Sequence, residues 1–267
     1  MSEVLVVTSG KGGVGKTTTT ANIGAALASL KKRVLLIDMD IGLRNLDLIM
    51  GLENRVVFNL VDVIEENCAL QSALVRDKRF DTLYLLPAAQ TKDKDAVTQA
   101  QMKALCDAVR DSYDYVILDC PAGIEQGFKN AVAGADRAIV VTTPEVSAVR
   151  DADKIIGMLN AYGVTRQKLL VNRLRPEMVR RGDMINLSDI TDILGIDMIG
   201  VVPDDESVIV CANRGEPIVL RTKSLASLAY RNIARRIAGD DVPFLTLDAR
   251  DGFFGRLKQL FIKEGVS

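Results

Sequence analysis

SGKGGVGKTTTT, Ser9 to Thr20, sits between an apolar run, VLVV (Val4 to Val7), and a segment of small apolar residues that continues to Leu30. Gly10 to Thr17 reads G-K-G-G-V-G-K-T and satisfies G-x-x-x-x-G-K-[ST], a phosphate-binding loop. Glycines allow φ > 0 and let backbone N–H groups come close to phosphate oxygens. A helix starting near Lys16 would aim its positive end at the same anion. Within such a loop, Lys16 is expected to bridge the β- and γ-phosphates and the Thr17 hydroxyl to ligate Mg²⁺. Lys11, planted among the glycines, is one lysine more than this chemistry needs.

Working outward, short Val/Ile/Leu runs alternate with longer helical patterns. VLVVTS (Val4 to Ser9), RVLLIDMD (Arg33 to Asp40), TLYLLP (Thr82 to Pro87), YDYVILD (Tyr113 to Asp119), RAIVVTT (Arg137 to Thr143), KLLVNR (Lys168 to Arg173) and DMIGVVP (Asp197 to Pro203) read as strands. Helices are expected over Lys16 to Leu30, Asp95 to Arg110, Ala148 to Ala161 and Ser224 to Ala238. Near-continuous apolar strands are covered on both faces, which gives an α/β, doubly wound, mainly parallel sheet flanked by helices. The pattern runs without a linker to Gly239, so residues 1–239 read as one domain and 240–267 as a distinct tail.

Composition narrows the chemistry. The 267 residues are 48% apolar, enough for a sizeable core. Acids and bases nearly cancel at 35 against 34, so no overall field marks a nucleic-acid binder. Histidine is absent, which excludes imidazole bases and histidine metal sites. Four scattered cysteines (Cys68, Cys106, Cys120, Cys211) form no CxxC pair and read as reduced thiols of a cytosolic protein. No signal-peptide pattern opens the chain, and no apolar run approaches the ~20 residues of a spanning helix.

Acidic strand ends support the loop. Asp119 closes YVILD, where a carboxylate holds Mg²⁺ through water, and Asp38 and Asp40 end RVLLIDMD. Ligands of open parallel sheets lie beyond the carboxyl ends of the strands, so all three carboxylates can converge on one nucleotide.

KGGVGKTT, DMDIGLRNLDLIMGLENR (Asp38 to Arg55), PAAQTKDKDA (Pro87 to Ala96), DCPAGIEQG (Asp119 to Gly127) and TTPEVSAVRDADKIIG (Thr142 to Gly157) together resemble the MinD/ParA family of deviant Walker A ATPases, on the division-site branch. The resemblance extends over essentially the whole chain. It implies an ATP- and Mg²⁺-dependent ATPase that dimerises on ATP and positions the bacterial division septum. Lys11 would be the family's signature lysine, reaching the partner subunit's phosphates as an arginine finger does. Asp40 would orient the attacking water, with Asp38 and Asp119 near the metal. Gly10, Gly12, Gly13, Val14 and Gly15 would line the loop, and Thr18 would touch the α-phosphate. Asn172, Pro203 and Asp205 match the adenine-recognition segments. Arg44 and the helix bearing Arg150, Asp151 and Asp153 match the partner surface, the implied partners being the division inhibitor MinC and MinE or another topological regulator. Charge alternation along that helix is by itself the pattern of a solvated face.

The tail carries a second signal. In GFFGRLKQLFIK (Gly252 to Lys263), Phe253, Phe254, Leu257, Leu260 and Phe261 fall within a ~120° arc at 100° per residue. Arg256, Lys258, Gln259 and Lys263 lie opposite, and Ile262 breaks the pattern. Such a helix is ~16 Å long, too short to cross a ~30 Å hydrocarbon core. It suits either an anionic lipid interface or a dock on the protein's own core, and periodicity does not separate these. The resemblance favours reversible attachment to the inner face of the cell membrane. One tail is expected to bind weakly and two tails of a dimer strongly. The rival is a ParA-type DNA-segregation ATPase, which needs a basic surface to grip phosphates. A small-molecule kinase would need an acceptor site, for which no residues stand out.

Overall fold

The computed structural model describes residues 2–92 and 96–245. Eight strands form one sheet: β1 Glu3–Thr8, β2 Val34–Asp38, β3 Val75–Arg76, β4 Leu83–Leu86, β5 Tyr115–Asp119, β6 Arg137–Thr142, β7 Gln167–Leu174 and β8 Met198–Pro203. Their order is β3-β4-β2-β5-β1-β6-β7-β8, parallel throughout except that β3 pairs antiparallel to β4. The sheet is the doubly wound, mainly parallel one expected. Edge strand β3, two residues long, was not expected, because two residues carry no periodicity.

Eleven α-helices are found among the described residues: α1 Lys16–Ser29, α2 Leu46–Met50, α3 Leu60–Ile64, α4 Leu70–Ala73, α5 Gln99–Val109, α6 Gln126–Val132, α7 Val146–Ala161, α8 Pro176–Arg181, α9 Leu187–Leu194, α10 Glu206–Ala212 and α11 Leu225–Ile237. Alternate strand residues face opposite cores. Val4 and Val6 of β1 pack with Leu105, Phe128 and Ile155 of α5, α6 and α7. Leu5 and Val7 pack with Ile23, Leu27 and Tyr230 of α1 and α11. Helix α1 lies so close to the sheet that a Cβ on Gly24 would meet Leu36 at 2.5 Å, which explains its run of alanines and glycine. Helix α5 starts at Gln99, four residues after the expected Asp95, because Thr98 and Gln101 form a capping box there. Asp95 itself lies outside the described residues, as does the whole amphipathic segment from Gly252 to Lys263.

Central β1 is flanked by β5 and β6, so the chain switches direction of winding beside its C-terminal end. That places the crevice for a ligand directly over Ser9 to Gly15. After α11 the chain turns at Gly239 (φ 100°) and runs back, with Val242 buried and Asp240 paired to Arg235 at 3.0 Å. Among the described residues no helix is long and apolar enough to cross a membrane.

Candidate active site

The loop between β1 and α1 is built by its glycines and by two neighbours that press against it. Gly13 (φ 77°) and Gly15 (φ 99°) adopt left-handed backbone, and Gly15 caps α1 with no side-chain bond to the first helical N–H groups. Those donors are therefore available to an anion. Gly10 is required for a different reason: a Cβ there would meet the Asp151 carbonyl oxygen of α7 at 2.3 Å. Asn172, near the end of β7, donates from Nδ2 to the Val14 carbonyl at 2.8 Å and is buried.

The two lysines take opposite dispositions. Lys16 is buried, its Nζ donating to Ser9 Oγ at 3.1 Å, and Ser9 Oγ donates in turn to the Lys11 carbonyl at 2.8 Å. Lys11 points out of the loop, where Nζ meets Glu145 Oε2 at 3.0 Å and Ser147 Oγ at 3.1 Å at the start of α7. Gly12 and Gly13 are exposed on the rim beside it, while Val14 is buried beneath.

Beneath the loop, Asp38 of β2 and Asp119 of β5 are register partners on adjacent strands, and both are buried. Asp38 accepts backbone N–H groups from Asp40 at 2.9 Å and Leu46 at 3.1 Å. Asp119 accepts the Thr20 hydroxyl at 3.1 Å. Burial raises Asp38 well above the usual carboxylate range, with the charges of Asp40 and Asp47 adding to it. Burial raises Asp119 likewise, then the Asp38 charge; Thr17, Lys16 and Thr20 pull it back down. Two buried carboxylates that repel each other beside a threonine hydroxyl make a donor set that a hard divalent cation would stabilise. No cluster of three His, Cys, Asp or Glu exists among the described residues. The donors thus fit a Mg²⁺ that takes its remaining oxygens from phosphate and water.

Asp40 is not in the strand, which ends at Asp38. It lies half-buried in the following loop, and its carbonyl accepts from the N–H groups of Leu43 and Arg44 at 3.1 Å each. Arg44 (φ 47°) turns its guanidinium inward, onto buried Asp47 at 2.5 Å and the Glu53 carbonyl at 3.3 Å. Arg150 and Asp153 stand exposed on α7, and Asp151 pairs with Lys154 at 3.4 Å. Pro203 ends β8; Asp205 caps α10 through Ser207 N–H at 2.9 Å and accepts the Ser224 hydroxyl at 2.7 Å. Thr18 is half-buried on the first turn of α1, its carbonyl accepting from Asn22 Nδ2 at 2.8 Å. Glu145, Ser147 and Thr20 were missed in the sequence. Thr20 is one helical turn past Lys16, on the helix that follows the phosphate loop, and Glu145 follows the carboxyl end of β6, where strand-end logic applies.

The site lies within a recognisable lineage. A family model described as an AAA domain matches residues 2–171. The septum site-determining protein MinD of Bacillus subtilis is 56% identical over 264 residues, 98% of either chain. The chain belongs to the MinD family. Among solved structures, MinD in the MinC:MinD cell division complex of Aquifex aeolicus has a TM-score of 0.87 at 49% identity, covering 92% of this chain and 99% of that one. The Pyrococcus horikoshii septum site-determining MinD, solved with Mg-ADP, has a TM-score of 0.81 at 28% identity, covering 91% and 100%. MinD-family proteins are P-loop ATPases, and the loop, paired aspartates and sheet described above are this chain's version of that fold.

Proposed function

We propose that this chain hydrolyses ATP as a Mg²⁺-dependent switch that dimerises on ATP, attaches to the inner face of the cell membrane and recruits the division inhibitor MinC to position the septum. The observation that supports this best is the opposite disposition of the two loop lysines. Lys16 is buried inside the loop, where it can neutralise phosphate within its own chain. Lys11 stands outside it, tethered only by half-exposed partners. A cation in that position serves a phosphate that comes from elsewhere, which in a symmetric assembly is the partner's.

In this reading backbone N–H groups from Gly12 to Thr17 bind the β-phosphate, and Thr18 binds the α-phosphate. Thr17, Asp38 and Asp119 would hold the metal, the aspartates through water. Mg²⁺, when bound, neutralises charge on the β- and γ-phosphate oxygens. Asp40 orients the attacking water, its loop fixed by the Asp38 bond to its N–H. Lys11 lends positive charge to the partner's developing γ-phosphoryl charge. Asn172 steadies the loop through Val14, while Pro203 and Asp205 flank the base. Arg150, Asp151 and Asp153 on α7, with the Arg44 loop, form the surface for MinC and for MinE or another regulator. Residues 1–239 make the ATPase body, and the tail beyond carries Phe253, Phe254, Leu257, Lys258, Leu260 and Phe261 to the lipid.

Lys11→Ala separates these roles. It should retain ATP binding and lose ATP-dependent dimerisation and hydrolysis; unchanged turnover refutes the role in trans. Sedimentation with ATP and anionic vesicles, against ATP and DNA, tests the membrane reading. Pelleting with DNA alone would favour a segregation ATPase instead.

A further inference from the structure

The edge of the sheet at β8 is not closed. Residues of α8 and α9 pack into the same core as Leu174, Met198 and Val201, α11 packs on β8, and a groove of about 640 Å³ lies where these elements meet. Leu174, Val179, Leu187, Met198, Val201 and Ala229 give it an apolar floor. Asn186, Ser188 and Asn232 form part of its rim. A volume of this size accommodates more than one large apolar side chain.

The C-terminal stretch is steered into this groove. Arg236 of α11 donates to the carbonyls of Ile199 at 2.8 Å, Val242 at 2.8 Å and Pro243 at 2.7 Å. Its guanidinium also stacks on the Phe244 ring, 4.3 Å from the centroid. One arginine therefore ties the returning strand of chain to the start of β8. Phe244 and Leu245, the last two described residues, themselves line the groove. Beyond them lie 22 residues, 246–267, of which only six precede Gly252. Six residues span at most ~20 Å, so the amphipathic segment begins within reach of the groove wall.

We propose that this groove is a docking site for the apolar face of the chain's own C-terminal segment, Gly252–Lys263, when the protein is off the membrane. The proposal rests on the reading of that segment as the membrane-binding element. The protein has five apolar side chains on that segment to shelter from water, and a site beside its root can do so without a tight fit. At the mM effective concentration of a short tether, a site of only ~0.1 mM intrinsic affinity is about nine-tenths filled. Such a dock is weak enough to be emptied when lipid competes for both tails of a dimer together. It would keep a single chain from sticking to membranes or to other copies through exposed phenylalanines.

The chain has no tryptophan, so Phe254→Trp gives a single reporter in the full-length protein. Without lipid or nucleotide, its quenching by acrylamide should be several-fold weaker than that of a peptide spanning residues 246–267 with the same substitution. Adding Ser188→Arg and Asn232→Arg, which bring charge and bulk onto the rim, should restore the peptide's value while ATP binding is unchanged. Quenching equal to the peptide's in the unmodified groove overturns the proposal, and this comparison needs no groove variant. Shielding that survives both arginines, or that vanishes on dilution, also overturns it, the tail then sitting elsewhere or in another copy. Phosphatidylglycerol vesicles with ATP report separately on the membrane reading. A shielded tail that vesicles fail to draw out leaves the groove standing and removes the lipid role. A freely quenched tail that vesicles protect does the reverse.

Discussion

Glu145 holds Lys11 within its own chain, and that contact competes with the role proposed for Lys11 across a dimer. Replacing Glu145 by Gln keeps the shape and a hydrogen-bond acceptor but removes the charge. The Lys11 and Glu145 side chains are 40% and 57% exposed, so the 3.0 Å pair is solvent-screened. Exposed pairs are worth about 0.2–1 kcal/mol. Each dimer must release two, so Glu145→Gln should favour ATP-dependent dimerisation by about 0.4–2 kcal/mol, roughly a 2- to 30-fold tighter dimer. The gain should shrink as salt rises, because screening already weakens the wild-type pair. Glu145 caps α7 without a side-chain bond to it, so the fold should lose no more than a few tenths of a kcal/mol to ~1 kcal/mol of helix-end charge interaction. Sedimentation velocity with a non-hydrolysable ATP analogue, across a concentration series at low and high salt, reads the dimer constant directly. An unchanged constant would show that the contact does not restrain Lys11. A weaker dimer would show that Glu145 belongs to the assembled interface, and either result refutes the competition.

Asp119→Asn should stabilise the nucleotide-free protein while abolishing Mg²⁺-dependent turnover, since it replaces a buried carboxyl, pushed up to about 8 by burial and by Asp38 on the adjacent strand, with a neutral amide. Where both carboxylates are charged, with strands ~4.8 Å apart and an effective dielectric of ~20, the relief is up to about 3 kcal/mol, or a melting point several degrees higher. The sign with pH follows from the same raised carboxyls. The folded state holds protons that the unfolded chain has released, so wild-type stability falls as pH rises from about 4 through about 6 for Asp38 and about 8 for Asp119, and Asp119→Asn should flatten that slope in thermal melts. Gly10→Ala places a methyl group against the Asp151 carbonyl and should cost about 1–3 kcal/mol, with ATP affinity falling by more than stability alone explains; intact binding would show that the loop tolerates displacement from α7.

The large features were readable because they are periodic. Apolar strands such as Val34–Asp38 and Tyr115–Asp119 announce a parallel sheet, and the glycine loop between β1 and α1 fixes where its ligand lies. What escaped was short or spatial. Strand β3 and helices such as α2 and α4 span fewer than six residues, too few to show a repeat. Asp40 looked like a strand end because Met39 continues the apolar run, yet Met39 N–H bonds the Asp119 carbonyl as the chain leaves the sheet. The Lys11–Glu145 contact joins residues 134 positions apart. Only the adjacency of β1 and β6 brings them together, and no local pattern encodes it.

Helix α11 touches three places that matter. Its cap, Ser224, bonds Asp205 beside the expected base position. Midway, the Tyr230 hydroxyl meets Thr19 Oγ1 of the loop's own helix at 3.3 Å. At its far end Arg236 grips the returning chain, and Gly200 lets Ile233 sit against the sheet where any Cβ would collide at 2.3 Å. Thirteen residues make a rod of about 20 Å, pinned at its middle to the helix that carries Lys16 and Thr17. A rod mounted this way rests on β8 at Gly200 and α1 at Thr19, and so joins Asp205 at one end to the root of the tail at the other.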